Sequence, residues 1–283
     1  MTTENKNYPA LIGAIAGDVI GSIYEFNNIK RTDFELMQPG MNYTDDSLMT
    51  LAVADWMLKV HRKGLDSEQV NSLLVNTMRH WAKQYPCPMG GYGGGFQRWL
   101  QSLNPKPYNS WGNGSAMRVS GVGYAADTLQ EALRWAEVSA AVTHNHPEGI
   151  KGAQATAVAV YMARNGSSKE QIRDYVEQVF QYDLHRTCDN IRPHYQFDES
   201  CQGTVPEAII AFLKSHDFES AMRLAVSLGG DSDTLACITG GIAAAYYNFI
   251  PQNIVEFVVN NLPTDLLDVV YRFCKQYGYT TPL

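Results

Sequence analysis

Nothing in the 283-residue chain marks a break between one half and the other. There is no Ser/Gly linker, no Pro-rich stretch, no charge block, no low-complexity tract and no internal repeat. That absence predicts a single domain over residues 1–283, long enough to bury a large core. Basic clusters are missing as well. The 22 Lys and Arg against 29 Asp and Glu leave a net charge of −7, which argues against nucleic acid as a partner, because neutralising phosphates takes clustered cations. No apolar run reaches membrane-spanning length, and the longest candidate, 235–250, is short and rich in small residues. The N-terminal MTTENKNYPAL lacks the charged-then-apolar order of a signal peptide. The five cysteines are odd in number, scattered and without a CxxC, which suits reduced thiols in a cytoplasmic protein.

Strict period-2 alternation is also hard to find, and helical spacing takes its place. Val70, Leu73, Leu74, Met78 and Trp81 share one face of 67–85. Ser168 and Gln171 form a capping-box pattern ahead of Ile172, Tyr175, Val176, Val179 and Phe180. Further apolar faces run through 217–228, from Ile254 to Val258, and from Leu266 to Phe273. Asn165-Gly166 and Gly229-Gly230 read as helix stops. Three stretches, 11–24, 148–163 and 235–248, are apolar all round and are expected at the centre, under a layer of other helices. The fold class expected is all-α.

Two segments place a Thr and a pair of Asp at a helix start: YTDDSLM, with Thr44, Asp45 and Asp46, and GGDSDT, with Asp231, Asp233 and Thr234. One carboxylate is enough for a cap. A second adds repulsion unless a cation sits between them, and hard divalent cations take several oxygen ligands of this kind. In GDVIGSIYEFNN, Gly13, Gly17 and Gly21 make a smooth face where another helix can approach, and Asp18 reads as structural within it. Glu25 falls near a helix C-terminus, where the dipole disfavours it; a place beside a metal would account for it.

MGGYGGGF holds five glycines in six positions around Tyr92. Its backbone N–H groups suit either an anion-binding nest or an ordinary loop. In SWGNGSAMRVS, Asn113-Gly114 signals a turn, and Trp111 is either a stacking surface or a core residue. His144 and His146 in THNHPEG are not spaced as an HExxH zinc site, but a His ahead of a helix can bond a phosphate or a sugar hydroxyl.

Taken in order, GDVIGSIYE, YTDDSLM, GGYGGG, WGNGSAMRVS, THNHPEG and GGDSDTLACITGGIAAAYY resemble the ADP-ribosylglycohydrolase family, and they span most of the chain. The resemblance implies an all-α globule with a cleft holding two divalent cations, Mg²⁺ or Mn²⁺. It implies Thr44, Asp45, Asp46, Asp231, Asp233 and Thr234 as ligands, with Glu25 and Asp46 as the catalytic pair. It implies a diphosphate wrapped by the glycine loop, at Gly91, Tyr92, Gly93 and Gly94, and a cleft lined by Ser110, Trp111, Asn113 and His144. The activity implied is hydrolysis of the α-glycosidic bond between ADP-ribose and an acceptor, arginine or serine, on a protein or a small molecule. Two other readings stand beside it. DSDT is similar to the nucleophile motif of haloacid dehalogenase-type phosphohydrolases, though late in the chain and after Gly-Gly. A non-catalytic ADP-ribose binder would need the same cleft.

Overall fold

Helix α1 (Ile12–Gly21) has no polar face, and all ten of its residues are buried. The reason is its partner, α13 (Ser232–Tyr247), whose run of Ala, Gly and Thr lets the two backbones touch. A Cβ on Gly17 would stand 1.9 Å from the Ala236 carbonyl oxygen, and one on Gly240 would stand 2.1 Å from the Gly13 oxygen. At Gly21 the added atom would meet the Asp233 Cα at 2.5 Å. The glycine face expected of 13–21 is therefore the central helix crossing, and its last contact falls on the acidic segment.

The computed structural model describes residues 9–61 and 63–282; the polar MTTENKNY lies outside them. All regular structure among the described residues is helical, apart from two isolated bridges, Thr44 with Met89 and Gly112 with Ser200. Around the central pair pack α2 (Asp45–Val60), α8 (Pro147–Arg164), α11 (Cys201–Lys214) and α12 (Phe218–Ser227). An outer set covers these: α3 (Ser67–Gln84) and α15 (Thr264–Tyr277) on α2, α7 (Leu129–Ala141) and α9 (Lys169–Phe180) on α8, and α14 (Gln252–Asn261) on α1. Short pieces, α4 (Gly94–Gln101), α5 (Gly114–Met117), α6 (Ser120–Ala125) and α10 (Cys188–Ile191), link them. One apolar cluster reaches from Ala10 to Tyr279. No helix among the described residues is long and apolar enough to cross a membrane, and all five cysteines are unpaired.

Most of the expected helices are present, including the Ser168–Gln171 capping box. Two long ones had no strong signal. α7 buries Ala132, Ala136, Ser139 and Ala140, side chains too small to make an apolar stripe stand out. α11 carries Pro206 in its interior, a residue that reads as a breaker.

Candidate functional site

The start of α2 is capped twice. Thr44, the N-cap, accepts a hydrogen bond from the Asp46 N–H at 3.2 Å. Asp18 of α1 reaches across to accept from the Thr44 N–H (3.0 Å), the Thr44 hydroxyl (2.7 Å), the Ser47 N–H (3.0 Å) and the Ser47 hydroxyl. Burial lifts the Asp18 pKa to about 6 against the pull of these bonds. With the helix end satisfied by Asp18 and Thr44, Asp45 and Asp46 are not needed as caps. α13 tells the same story differently: Asp231 holds the N-cap position and makes no side-chain cap bond.

The carboxylates instead converge on one another. Thr234 donates to Asp46 Oδ1 at 3.3 Å, a link across 188 residues. Asn113 donates to Asp231 Oδ2 at 2.6 Å. Glu25, Asp231 and Asp233 each offer an oxygen within 4.8 Å of the others. Asp46 Oδ2 and Asp233 Oδ1 are buried with no hydrogen-bond partner. No ion pair reaches Glu25, Asp45, Asp46, Asp231 or Asp233 among the described residues. Burial, then neighbouring negative charge, raises the pKa of Asp45, Asp46 and Asp233 well above the carboxylate range. The same two causes lift Glu25 to about 7.

Glu25 is held in place by Asn28. Its side-chain amide donates to the Glu25 and Gly230 carbonyls, both at 2.9 Å, and accepts from the Gly230 N–H at 2.8 Å. Gly230 needs its positive φ of 68° there, and a Cβ would strike the Tyr195 ring at 2.6 Å. Asn28 thus fastens the Glu25 turn to the Asp231 loop.

These groups form one end of a cleft of ≈ 420 Å³. Residues 90–95 make one wall. The bridge from Met89 to Thr44 ties this loop to α2, and a Cβ on Gly90 would meet Glu25 Oε2 at 2.7 Å. Gly93 and Gly94 begin α4, so the segment is half turn and half helix start. Tyr92 donates its hydroxyl to the Tyr85 carbonyl at 2.8 Å. Ser110, Asn113 and His144 line the same cleft, and the Gly112–Ser200 bridge pins their segment.

The fold therefore brings Glu25, Asp45, Asp46, Asp231, Asp233, Thr234, the glycine segment, Ser110, Asn113 and His144 to one cavity. Two of the expected residues stand off it. Thr44 is 1% exposed, and its hydroxyl is turned to Asp18. Trp111 is neither core nor lining: it is 52% exposed, with its ring edge-on to His146 at 5.5 Å. The cavity also contains Tyr108, Arg118 and Glu199, which the sequence reading did not single out. Arg118 had a signal, a lone cation in the apolar run AMRVS. Phe26, 75% exposed and stacked on Phe197 at 5.9 Å, stands beside Glu25 at the mouth.

The chain belongs to the ADP-ribosylglycohydrolase family, whose description matches residues 1–278. It is similar to the ADP-ribosylhydrolase ARH3 of Mus musculus, 28% identical across 91% of this chain and 88% of the relative. It is also similar to the ADP-ribosylarginine hydrolase Tri1 of Pseudomonas putida (strain GB-1), 27% identical across 92% of this chain and 77% of the relative. A solved structure titled "ADP-ribosylglycohydrolase-related protein complex" shares the fold, with a TM-score of 0.73 at 22% identity over 96% of this chain and 98% of that one.

Proposed function

We propose that this single-domain protein is a divalent-cation-dependent hydrolase that cleaves the α-glycosidic bond between ADP-ribose and an arginine or serine acceptor, freeing ADP-ribose. The observation that carries the reading is the meeting of two acidic helix starts at one end of a cleft, with buried carboxylate oxygens that have no partner. Oxygen donors left unpaired at such depth cost several kcal/mol each unless a cation joins them.

The donor set fits hard cations, two of them Mg²⁺ or Mn²⁺. Asp45, Asp46, Asp231, Asp233 and Thr234 would hold them. Thr44 fits as well: its proton goes to Asp18 and one lone pair to the Asp46 N–H, which leaves the second lone pair for a metal. Held there, such cations would supply Lewis-acid polarisation of a substrate oxygen. Glu25 holds the attacking water and takes its proton as the bond from C1 to the acceptor breaks, and that proton is passed on to the departing acceptor atom. Asp46, with Oδ2 unpartnered in the same cleft, is the second member of the catalytic pair. Gly91, Tyr92, Gly93 and Gly94 flank the diphosphate, Ser110, Asn113 and His144 line the rest of the cleft, and Trp111 offers an exposed ring just outside it. The acceptor leaves past Phe26.

The phosphohydrolase reading lacks its setting. DSDT follows helix α12 and opens helix α13, where that motif calls for a preceding strand.

The test is release of free ADP-ribose from ADP-ribosyl-arginine and ADP-ribosyl-serine peptides, side by side, with Mg²⁺, with Mn²⁺ and with chelator. Release from one peptide, abolished by chelator, supports the reading and names the acceptor. Tight ADP-ribose binding with no release from any conjugate would make the protein a binder.

A further inference from the structure

Among the residues lining the cleft is a buried cation with no counter-charge. Arg118 follows α5, is 1% exposed, and makes no ion pair among the described residues. One guanidinium nitrogen donates to the Ser139 carbonyl at 2.6 Å and to the Thr143 hydroxyl oxygen at 2.9 Å. That oxygen lies 2.7 Å from His144 Nδ1 and 3.4 Å from the Ala140 carbonyl.

The proton directions follow from these lengths. A guanidinium only donates, so Thr143 uses one lone pair to accept from Arg118. Its single hydroxyl proton then has two places to go. The contact with Nδ1 has the length of a good hydrogen bond, and the contact with Ala140 is too long for one. The proton points at Nδ1, Nδ1 accepts, and the neutral ring carries its own proton on Nε2. Burial first, and the Arg118 charge second, hold the His144 pKa well below the imidazole range, so a second proton is not taken. The Tyr108 ring, 5.8 Å away, packs against the imidazole.

Nε2 faces the cleft. A Cβ on Gly114 would stand 3.2 Å from it and one on Gly112 3.5 Å, so both glycines keep its approach open. It makes no hydrogen bond to the described residues. We propose that Arg118 and Thr143 are positioning residues that lock His144 as the neutral Nε2–H form, presenting one fixed N–H donor to an acceptor oxygen of the ligand. The use of that donor rests on the cleft being the ADP-ribose site; the lock itself exists without ligand and is tested without it.

The experiment is a long-range ¹H–¹⁵N correlation spectrum of the ligand-free protein labelled at histidine, with His144 assigned by comparison with His144→Gln. The expected pattern is the Nε2–H form, unchanged between pH 5.5 and 8. An Nδ1–H pattern, or an imidazolium in that range, overturns the proposal whether or not the protein turns out to be a hydrolase. Thr143→Val removes the hydroxyl at nearly constant volume. It is expected to broaden the His144 signals and raise the Kd for ADP-ribose about tenfold, while Thr143→Ser retains both properties. A Thr143→Val protein with the wild-type spectrum also overturns the lock. Should Thr143→Val not fold, the wild-type spectrum and Thr143→Ser still decide. If the lock is present and ADP-ribose does not bind, the reading of the cleft fails and the lock stands.

Discussion

Asp46 and Asp55 lie on the same helix, α2, and are 2% and 3% exposed. Asp55 is surrounded by donors. Lys59 reaches it at 2.7 Å, the Trp81 indole N–H at 3.1 Å and Arg272 at 3.3 Å. Burial pushes its pKa up, but the bonds from Lys59 and Trp81 and the charges of Lys59 and Arg272 outweigh it, and the net shift is downward. Asp46 has a weak bond from Thr234, one oxygen with no partner, and carboxylates for neighbours, and its pKa goes the other way. Depth alone therefore separates nothing. A buried acid whose counter-charge is supplied by the chain is part of the scaffold. A buried acid left with neither a counter-charge nor a full set of hydrogen-bond donors, unlike Asp18, implies a partner that comes from outside.

Breaking the site side of this contrast gives the largest effect. Glu25→Gln is expected to fold, bind cation and lose turnover by about 10²–10⁴-fold, the usual worth of a positioned acid/base; steady-state kinetics on the preferred conjugate checks it. Asp233→Asn and Asp46→Asn each remove a proposed ligand. Calorimetry is expected to show cation affinity falling by more than the roughly 10–100-fold that loss of an outer-sphere partner costs.

Asp55→Asn tests the scaffold side. It leaves Lys59 and Arg272, which are 37% and 46% exposed, without their acid. Solvent softens that loss, so a destabilisation of about 1–3 kcal/mol is expected by denaturant unfolding, with cation affinity unchanged. The smallest effect is a pH dependence. Asp18 and Glu25 hold their protons to about 6 and about 7 in the fold, against 3.8 and 4.5 when free. Between about pH 4 and 7 the folded chain thus binds more protons than the unfolded one, and stability falls as pH rises. Chelator-treated protein is expected to melt a few degrees lower at pH 8 than at pH 5, and added Mg²⁺ or Mn²⁺ to reverse the drop, by differential scanning calorimetry.

The sequence carried the long helices because their apolar faces recur at helical spacing. It also carried the glycine face of α1 as a place where another helix approaches, though not that the partner is α13. It did not carry α7, where alanines replace the apolar stripe, or α11, where Pro206 hides in the second turn. In the site, each acidic helix start was visible by itself, but no local pattern spans the separation of Asp46 and Asp233, and only the family resemblance put them in one cleft. Asn28 carried no local signal; its amide is spent on holding Glu25 to Gly230. The double cap on α2 was half legible. Asp18 read as a packed structural residue, yet only the crossing of α1 over α2 shows that it does the capping and leaves the TDD aspartates free.

The central claim is that the chain withholds a counter-charge at Asp46, Asp231 and Asp233 and supplies one at Asp55. Calorimetric titration of Mn²⁺ into chelator-stripped wild-type, Asp233→Asn and Asp55→Asn proteins tests it directly. Saturable binding to the wild type and to Asp55→Asn, with binding lost in Asp233→Asn, is the result the account predicts. No binding to the wild type, or equal binding to all three, would contradict it.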